Sequence, residues 1–272
     1  ERSSSLYGLR YVVLDECHYL MDPFRGPVWE EIIIHLPVDV KVIGLSATVS
    51  NYQEFGAWLN DLRGDVEVIY HDHRPVPLRH YYMIGGIMVN LRSAKAPQVV
   101  EEYERSMQKR AKGGRKPRTR HLIPRRSDVV ERLQRSGMLP AIYFIFSRVG
   151  CDAGVAHCVE AGAIEEQVQA RLAWLPEEDL KVFGFEQWLA ALKLGLASHH
   201  AGHLPIFKEV VEDLFAQGLV KVVFATETLS LGINMPAKTV VIESLFKFSG
   251  ESHEFLTPTE YTQFTGRAGR RG

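Results

Sequence analysis

Short apolar runs alternate with amphipathic stretches along most of this chain. Runs of four to seven largely apolar residues, bounded by polar residues, glycine or proline, favour strands that are covered on both faces. Strands that alternate with helices are typical of an α/β fold with parallel sheets. The predicted strands are residues 11–14, 40–45, 66–70, 78–84, 141–146, 196–200, 220–225 and 239–242.

The stretches between these runs have helical periodicity. The predicted helices cover residues 28–36, 52–62, 101–110, 151–168, 185–194 and 205–217. The last is the clearest, because its large apolar residues recur at a spacing that places them on one helix face. Those residues are Phe207, Val210, Val211, Leu214 and Phe215.

A proline pair divides the chain. Arg74-Pro75-Val76-Pro77 has two prolines two residues apart, which resist both helix and central strand and favour an extended connector. We therefore predict a first domain over residues 1–77 and a second over residues 78–272.

A basic segment interrupts the second domain. Between Arg92 and Arg135 there are 14 Lys or Arg residues against 5 Asp or Glu residues, although the net charge of the chain is −1. We predict a flexible insertion at about residues 93–136 that lies outside the core. It is either an arm that gathers RNA by counterion release or a solvated insertion without function. Deleting residues 111–121 and measuring RNA affinity against salt concentration separates the two.

Composition excludes several protein classes. The three cysteines, Cys17, Cys151 and Cys158, are an odd number without the spacing of a zinc knuckle, and free thiols in a reducing cytoplasm are the simplest interpretation. No apolar run approaches the roughly 20 residues that span a bilayer, so we expect no membrane partner. The chain has neither a secretory signal nor an initiator Met, and we expect it to be an excerpt of a longer protein.

Two acidic residues directly follow the first predicted strand. Asp15 and Glu16 stand at its carboxyl end, where parallel α/β sheets place their ligands. One carboxylate can hold a divalent cation through water while the other orients and deprotonates an attacking water. A solvated acidic loop is the alternative. A zinc site through Cys17 and His18 lacks a second ligand pair at matching spacing.

Hydroxyl residues follow the second predicted strand. Ser46 and Thr48 would be able to bond the acids of the neighbouring strand and relay their state. A plain helix cap is the simpler interpretation of Ser46-Ala47-Thr48 taken alone.

The order of these patterns is more specific than any one of them. The two acids and the two hydroxyls are followed by Phe146-Ser147-Arg148, by residues 225–236 and by residues 263–272. In this order they resemble motifs II to VI of the superfamily 2 helicases. Arg25-Gly26-Pro27 and His199-His200-Ala201-Gly202 narrow the resemblance to the superkiller-like DEVH-box helicases, which prepare RNA for exosome-type degradation. Their HelY-type members from actinobacteria are the most similar.

The resemblance covers nearly the whole chain except the basic segment. It implies two RecA-like domains, the first incomplete, with ATP and Mg²⁺ in the cleft and nucleic acid across both. By this analogy Asp15 holds Mg²⁺ through water and Glu16 is the catalytic base. Cys17 departs from the usual third residue of its motif.

The same resemblance implies roles for other residues. His18, Ser46, Thr48 and Gln263 would couple the nucleotide state to domain movement, and Gly232 and Asn234 would face the nucleotide. The residues implied to contact nucleic acid are Ser147, Arg148, His200, Gly202, Thr226 and Thr228. Satisfied strand-end histidines remain an equal alternative for the histidine pair, and an ordinary strand–loop–helix junction remains one for the two threonines.

Two arginines near the end of the chain have a chemical interpretation of their own. Arg267 and Arg270 are three apart, so they would share one face of a helix. Two guanidinium groups aimed at one point can neutralise the charge on a transferring γ-phosphoryl group. A basic surface patch is the alternative, and the preceding motifs decide against it.

The chain contains no Gly-x-x-x-x-Gly-Lys-Ser/Thr phosphate loop. By resemblance we expect that loop before Glu1, and winged-helix and helical-bundle domains after Gly272. We therefore expect negligible ATPase activity from residues 1–272 alone. Residues 246–258 lie where relatives carry a strand-separating hairpin, although residues 249–253 by themselves have only the composition of a turn.

The function that the resemblance implies is that of an ATP-driven RNA helicase moving 3′ to 5′, a partner of the RNA-degradation machinery. A DNA helicase of repair is one alternative. The other is a truncated motor that only binds nucleic acid.

Overall fold

The computed structural model describes residues 7–21, 26–46, 52–71, 73–110, 123–164, 185–230, 235–248 and 252–269. They form two compact units. The first unit is Glu1–Arg74 with Thr257–Gln263, and the second unit is Pro75–Leu256 with Phe264–Gly272. Each unit contains a parallel sheet with helices, which confirms the predicted α/β class.

The described elements follow one another in a largely alternating order. They are β1 (Tyr11–Leu14), α1 (Gly26–His35), β2 (Lys41–Gly44), α2 (Tyr52–Arg63), β3 (Tyr81–Ile84), β4 (Ile87–Asn90), α3 (Ala96–Arg110), α4 (Arg126–Arg135), β5 (Ala141–Phe144), α5 (Arg148–Glu160), α6 (Phe185–Lys193), β6 (Leu196–His199), α7 (Pro205–Ala216), β7 (Val222–Ala225), β8 (Thr239–Ile242), β9 (Phe246–Phe248), β10 (His253–Phe255) and α8 (Pro258–Thr265), with short 3-10 turns at Cys17–Met21 and Glu227–Ser230.

In the first unit, β1 and β2 pair in parallel, and helices cover one face of the pair. Leu14, Cys17 and Ile33 form its core, with side chains of α1 and α2 packed around them. On the other face Tyr11 and Ile43 are exposed. The prediction that both strands are buried on both faces is therefore wrong for the described residues, because α1 and α2 lie on the same side of the pair.

A single arginine fastens α2 to the end of α1. Nη1 of Arg63 donates to the carbonyl oxygens of Ile33 and Leu36, each at 3.1 Å. Its Nη2 donates to those of Pro37 at 2.6 Å and Val40 at 2.7 Å. The first two bonds satisfy carbonyl groups at the end of α1, which a helix leaves without intrahelical partners, and the other two hold the turn that follows it.

The predicted strand at residues 66–70 does not form, since among the described residues it pairs with no other strand. Val68 instead packs so closely against Gly56 of α2 that a side chain on Gly56 would collide with it. The ring of Tyr70 stacks on that of Tyr52 at 4.7 Å. The burial that the apolar residues of this segment predicted is absent too, because Val68, Ile69 and Tyr70 are all exposed.

The second unit is built on a four-stranded parallel sheet in the order β6-β7-β5-β8. Every residue of β5, β6 and β7 is buried, as predicted for strands covered on both faces. The apolar face predicted for residues 205–217 is confirmed as well, because all five of its named residues are buried in α7. The predicted strand at residues 78–84 forms its last part only, as β3 in an antiparallel hairpin with β4.

Part of the basic segment belongs to the core, which corrects the predicted insertion. Val129, Val130 and Leu133 of α4 are buried against the sheet. Arg126 holds the start of α4 by a bidentate ion pair with Glu243, with N–O distances of 2.7 and 2.8 Å. The basic count misled because α4 carries its charges on one face and its apolar residues on the other. Residues 111–122, the most basic part, lie outside the described residues.

The three cysteines are free, as predicted, and all three are buried. Burial raises the pKa of the Cys151 and Cys158 thiols to about 12, so both are protonated at neutral pH. No helix among the described residues has both the length and the apolar character needed to cross a membrane.

Candidate nucleotide and nucleic-acid site

Asp15 and Glu16 lie in a tight bend at the carboxyl end of β1. The amide of Leu45 donates to the carbonyl of Leu14 at 2.9 Å, and the amide of Cys17 donates to the carbonyl of Leu45 at 2.9 Å. These two bonds bracket the acids and hold them beside the end of β2. The Glu16 amide also donates to Oδ1 of Asp15 at 2.9 Å.

The backbone of Glu16 has a φ of +56°, in the left-handed region that non-glycine residues rarely adopt. Its carbonyl accepts from the amide of Tyr19 at 3.0 Å, which opens the 3-10 turn Cys17–Met21. Strained conformations of this kind persist where the surrounding fold imposes them, and they cluster at functional sites. The structure therefore presents the Glu16 carboxylate from an imposed backbone geometry, a signal that the sequence did not contain.

Ser46 follows β2 at the same sheet edge. Its hydroxyl lies within hydrogen-bonding reach of the Cys17 thiol. Burial raises the pKa of that thiol, and its hydrogen bonds lower the pKa by less than burial raises it. Ser46 thus contacts Cys17, the residue that follows the two acids. Thr48, the other predicted coupling hydroxyl, lies outside the described residues, and the side chain of His18 is not described.

Arg267 is held in place by backbone pairing rather than by a helix. Helix α8 ends at Thr265, and a parallel bridge then joins Ala268 to Ala237. The Ala237 amide donates to the carbonyl of Arg267 at 3.2 Å, and the Gly269 amide donates to that of Ala237 at 2.9 Å. The Arg267 side chain is only 6% exposed.

The expectation that Arg267 and Arg270 share a helix face is therefore wrong. Gly269 has a φ of +66°, which an L-residue in a helix cannot adopt, and a Cβ there would lie 3.0 Å from Cγ1 of Val76. Glycine is required because the chain must turn close to a neighbouring segment. Arg270 lies outside the described residues.

Helix α8 begins with a capping box. The Thr257 hydroxyl accepts from the Glu260 amide at 3.2 Å, and the Glu260 carboxylate accepts from the Thr257 amide at 2.9 Å. Gln263 lies on this helix and is partly buried, in the segment grouped with the first unit. Phe264 lies in the core of the second unit, with its ring 4.7 Å from that of Phe144.

Several predicted nucleic-acid residues gather at the carboxyl ends of the second unit's strands. Ser147 caps α5, its hydroxyl accepting from the Gly150 amide at 3.2 Å, and Arg148 beside it is exposed. Thr226 after β7 is buried, and its hydroxyl lies 3.0 Å from that of Thr228. Gly232 and Asn234 lie outside the described residues.

The histidine pair after β6 points inward. Nε2 of His199 lies 2.7 Å from Oε1 of Glu212 on α7, and burial lowers the pKa of His199 despite that partner. His200 is 5% exposed, with Nε2 at 3.1 Å from both carboxylate oxygens of Asp152. Its Nδ1 accepts from the Gly202 amide at 3.1 Å. Neither ring is presented to solvent, which favours the alternative of strand-end histidines. Both nitrogens of His200 are satisfied, whereas Nδ1 of His199 is buried without a hydrogen-bond partner among the described residues.

Strands β9 and β10 form an antiparallel hairpin in the segment that sequence alone indicated only as a turn. Phe246 pairs with Phe255 across the two strands, and their rings lie 3.9 Å apart. Both are exposed, at 47% and 65%. Exposed paired aromatic rings are typical of surfaces that bind other molecules.

Two protein families match the two ends of the chain, and known helicases match nearly all of it. Residues 1–55 match the family described as DEAD/DEAH box helicase, and residues 177–272 match that described as helicase conserved C-terminal domain. The probable helicase HelY of Mycobacterium tuberculosis is 50% identical over 297 residues, which are 99% of this chain and 33% of that protein. The chain therefore carries sequence of both helicase families and is homologous to the superkiller-like helicases. This confirms the resemblance that the motifs indicated.

Two other relatives have names that describe them as RNA helicases. The chloroplastic DExH-box ATP-dependent RNA helicase DExH15 of Arabidopsis thaliana is 38% identical over 99% of this chain and 27% of its own length. The exosome RNA helicase MTR4 of Homo sapiens is 37% identical over 99% of this chain and 28% of its own length. The chain thus spans about a third or less of the length of these curated relatives.

Sequence reasoning missed the polar residues that hold the helicase motifs in position. Asp152 joins the helix after β5 to the loop after β6, and Glu243 joins the end of β8 to α4. Asp152 thereby contacts the motif residue His200. The sequence signal for Asp152 was its place five residues after Ser147, as an acid among mostly small and apolar residues.

Proposed function

We propose that the protein containing this chain is an ATP-driven RNA helicase that translocates 3′ to 5′. The observation that carries the proposal is the match to helicases over 99% of the chain, including relatives named as RNA helicases. The geometry supports it, because Asp15, Glu16 and Ser46 of the first unit follow the carboxyl ends of parallel strands, where such sheets bind ligands. Ser147, His200 and Thr226 of the second unit do the same.

In this proposal Glu16 orients and deprotonates the water that attacks ATP. Asp15 holds Mg²⁺ through water, and its hard carboxylate oxygens fit that ion. When bound, Mg²⁺ neutralises phosphate charge. Arg267 adds a guanidinium to the transferring phosphoryl group and is joined in this by Arg270. Gly232 and Asn234 face the nucleotide.

The coupling residues of the proposal are His18, Ser46, Thr48 and Gln263, which transmit the state of the nucleotide. Ser147, Arg148, Gly202, Thr226 and Thr228 meet the nucleic-acid backbone. Contacts to phosphate and sugar position a strand without reading its sequence, as a translocating motor requires. His200 acts from behind this surface, since its ring is buried.

Strand-displacement assays test the substrate and the direction. RNA and DNA duplexes of matched sequence, each with a 3′ or a 5′ overhang, are mixed with the intact protein and ATP. We expect displacement of the RNA duplex with the 3′ overhang only. Faster displacement of DNA would replace the proposal by the DNA-helicase alternative, and displacement from 5′ overhangs would reverse the polarity.

The β9–β10 hairpin is proposed to separate the strands. Replacing both Phe246 and Phe255 by alanine should slow duplex displacement about tenfold or more, because base–aromatic stacking contributes about 1–3 kcal/mol per base. RNA-stimulated ATP hydrolysis should change little, since the hairpin takes no part in the chemistry. The measurement is displacement and hydrolysis on the same preparation.

A matched control for the hairpin lies on β3. Tyr82 is also an exposed aromatic residue of an antiparallel hairpin, at 49% exposure, and Tyr82→Ala should leave both rates unchanged. If displacement by the phenylalanine variant stayed at the wild-type rate, the hairpin would not be the separating element. A parallel loss of hydrolysis would point to a folding role instead.

The partners and the compartment are part of the proposal. We propose that the protein works with RNA-degradation machinery, as the name of the exosome RNA helicase among its relatives suggests. Three buried free thiols fit a reducing cytoplasm.

A further inference from the structure

A polar cluster joins two segments of the second unit that are distant in sequence. Asp152 lies on α5, one turn after Arg148, while His200 and His203 lie in the loop after β6. Asp152 accepts from the Ser198 hydroxyl at 2.7 Å and from Nε2 of His200 at 3.1 Å. Nε2 of His203 lies 3.6 Å from the same carboxylate.

The hydrogen bonds assign the tautomer of His200. Its Nδ1 accepts the Gly202 amide hydrogen, so the ring proton must be on Nε2, where it points at the carboxylate of Asp152. Two hydrogen bonds in series therefore join these residues: the imidazole of His200 donates to the carboxylate of Asp152 and accepts from the amide of Gly202. We call Asp152, His200 and Gly202 the relay. In this relay an aspartate fixes the imidazole, which in turn fixes the glycine loop.

A side chain at Gly202 would fit only tightly against His200. A Cβ on Gly202 would lie 3.0 Å from Nδ1 of His200 and 3.7 Å from Cδ of Arg148. Gly202 is thus packed between the imidazole and the arginine stem. The loop after β6 and the start of α5 meet here, and Asp152 is the residue that bonds one to the other.

Asp152, His200 and His203 have the spacing of a metal site, with ligand atoms within 4.8 Å of one another. A metal ion on Nε2 of His200 would move the proton to Nδ1 and break the bond from the Gly202 amide. The tautomer that the structure shows therefore favours a proton-bearing relay over an ion.

We propose that Asp152 is a positioning residue for nucleic-acid binding, which acts through His200 to set the Gly202 backbone beside Arg148. The inference rests on the proposed function, because Gly202 and Arg148 are proposed there to contact the strand. It explains why His200 is buried although its neighbours are proposed to meet RNA.

The charge state of Asp152 agrees with this role. Burial by itself would raise the pKa of the carboxyl, but hydrogen bonds from His200, His203 and Ser198 hold it well below its usual range. The carboxylate stays ionised at neutral pH and accepts throughout. Hydrogen bonds to a charged group contribute more than neutral ones, so its removal should loosen the loop.

The sign of the effect on RNA affinity makes the test sharp. A carboxylate near a phosphate backbone repels it, so a bystander at this position would bind RNA more tightly after Asp152→Ala. A positioning residue gives the opposite result. We expect Asp152→Ala to weaken RNA binding about tenfold, a loss of about one strong hydrogen bond, with the ATPase rate at saturating RNA unchanged.

Asparagine separates geometry from charge. Its Oδ1 can still accept from Nε2 of His200 and from Ser198, so Asp152→Asn should restore affinity to the wild-type value or above it. Glu160→Ala is the matched control, since it removes an exposed acid from the end of the same helix, away from the loop. Its affinity should equal that of the wild type or slightly exceed it.

Two measurements on the intact protein complete the experiment: RNA affinity by fluorescence anisotropy, and ¹⁵N NMR of the imidazole nitrogens. We expect the Nε2–H tautomer of His200 in the wild type and its loss in Asp152→Ala. Unchanged or tighter RNA binding by Asp152→Ala would overturn the inference. If the wild type bound no RNA at all, the proposed function would fail, whereas the NMR result would still report on the relay.

Discussion

Replacing Arg267 by lysine is expected to reduce ATP hydrolysis by the intact protein about a thousandfold or more, with ATP binding nearly unchanged. Arginines that stabilise a transferring phosphoryl group contribute about 10³–10⁵ in rate. Lysine keeps the charge but not the planar fork of donors that meets several phosphate oxygens at once. The measurement is phosphate release, alongside titration with a fluorescent ATP analogue.

The position of Arg267 makes this substitution informative. Its backbone is held by the bridge between Ala268 and Ala237, so the change acts on the side chain alone. Because Arg267 is buried, a melting curve must show that the variant is folded. Arg135→Lys, on the exposed face of α4, is the control and should hydrolyse ATP normally. Near-normal turnover by the Arg267 variant would show that this arginine supports structure rather than chemistry.

The second large effect is expected from Glu16→Gln. The change keeps the size of the side chain and removes its ability to take a proton from water, and general bases contribute about 10²–10⁴ in rate. ATP should still bind, since the backbone bend and Asp15 are retained. Turnover of radiolabelled ATP and a separate binding titration distinguish the two steps.

The bend that carries Glu16 sharpens this prediction. Glu16 has a φ of +56°, its carbonyl accepts from the Tyr19 amide, and the amide of the next residue, Cys17, donates to the Leu45 carbonyl. The residue therefore has little freedom to reorient. Glu30→Gln on α1 is the control, because that carboxylate is exposed in the same unit. If turnover survived in the Glu16 variant, another group would be the base.

Apolar periodicity predicted most of the second unit because its strands are covered on both faces. Residues 141–146 and 220–225 had one interpretation only, and β5 and β7 formed there. The same pattern was insufficient in the first unit. Residues 66–70 have a similar pattern, yet they form no strand and stay largely exposed beside α2, because a strand needs a hydrogen-bonding neighbour and not only apolar residues.

Charge counting was misleading at α4 for a related reason. A segment total does not distinguish a solvated coil from a helix that turns its charges outward. Val130 of that helix is fully buried, and Arg126 reaches Glu243, more than a hundred residues later. No pattern in the sequence around Arg126 indicates a partner that is more than a hundred residues away.

The sequence by itself determined the family, the α/β class and the order of the motif residues, because these depend on residue type and spacing along the chain. Only the tertiary structure decided how Arg267 is held, why Glu16 adopts its backbone conformation and which residues Asp152 bonds. Each of those depends on hydrogen bonds between segments far apart in sequence. Glycines at 202 and 269 permit the close approach at two of these points, and folding alone brings their partners there.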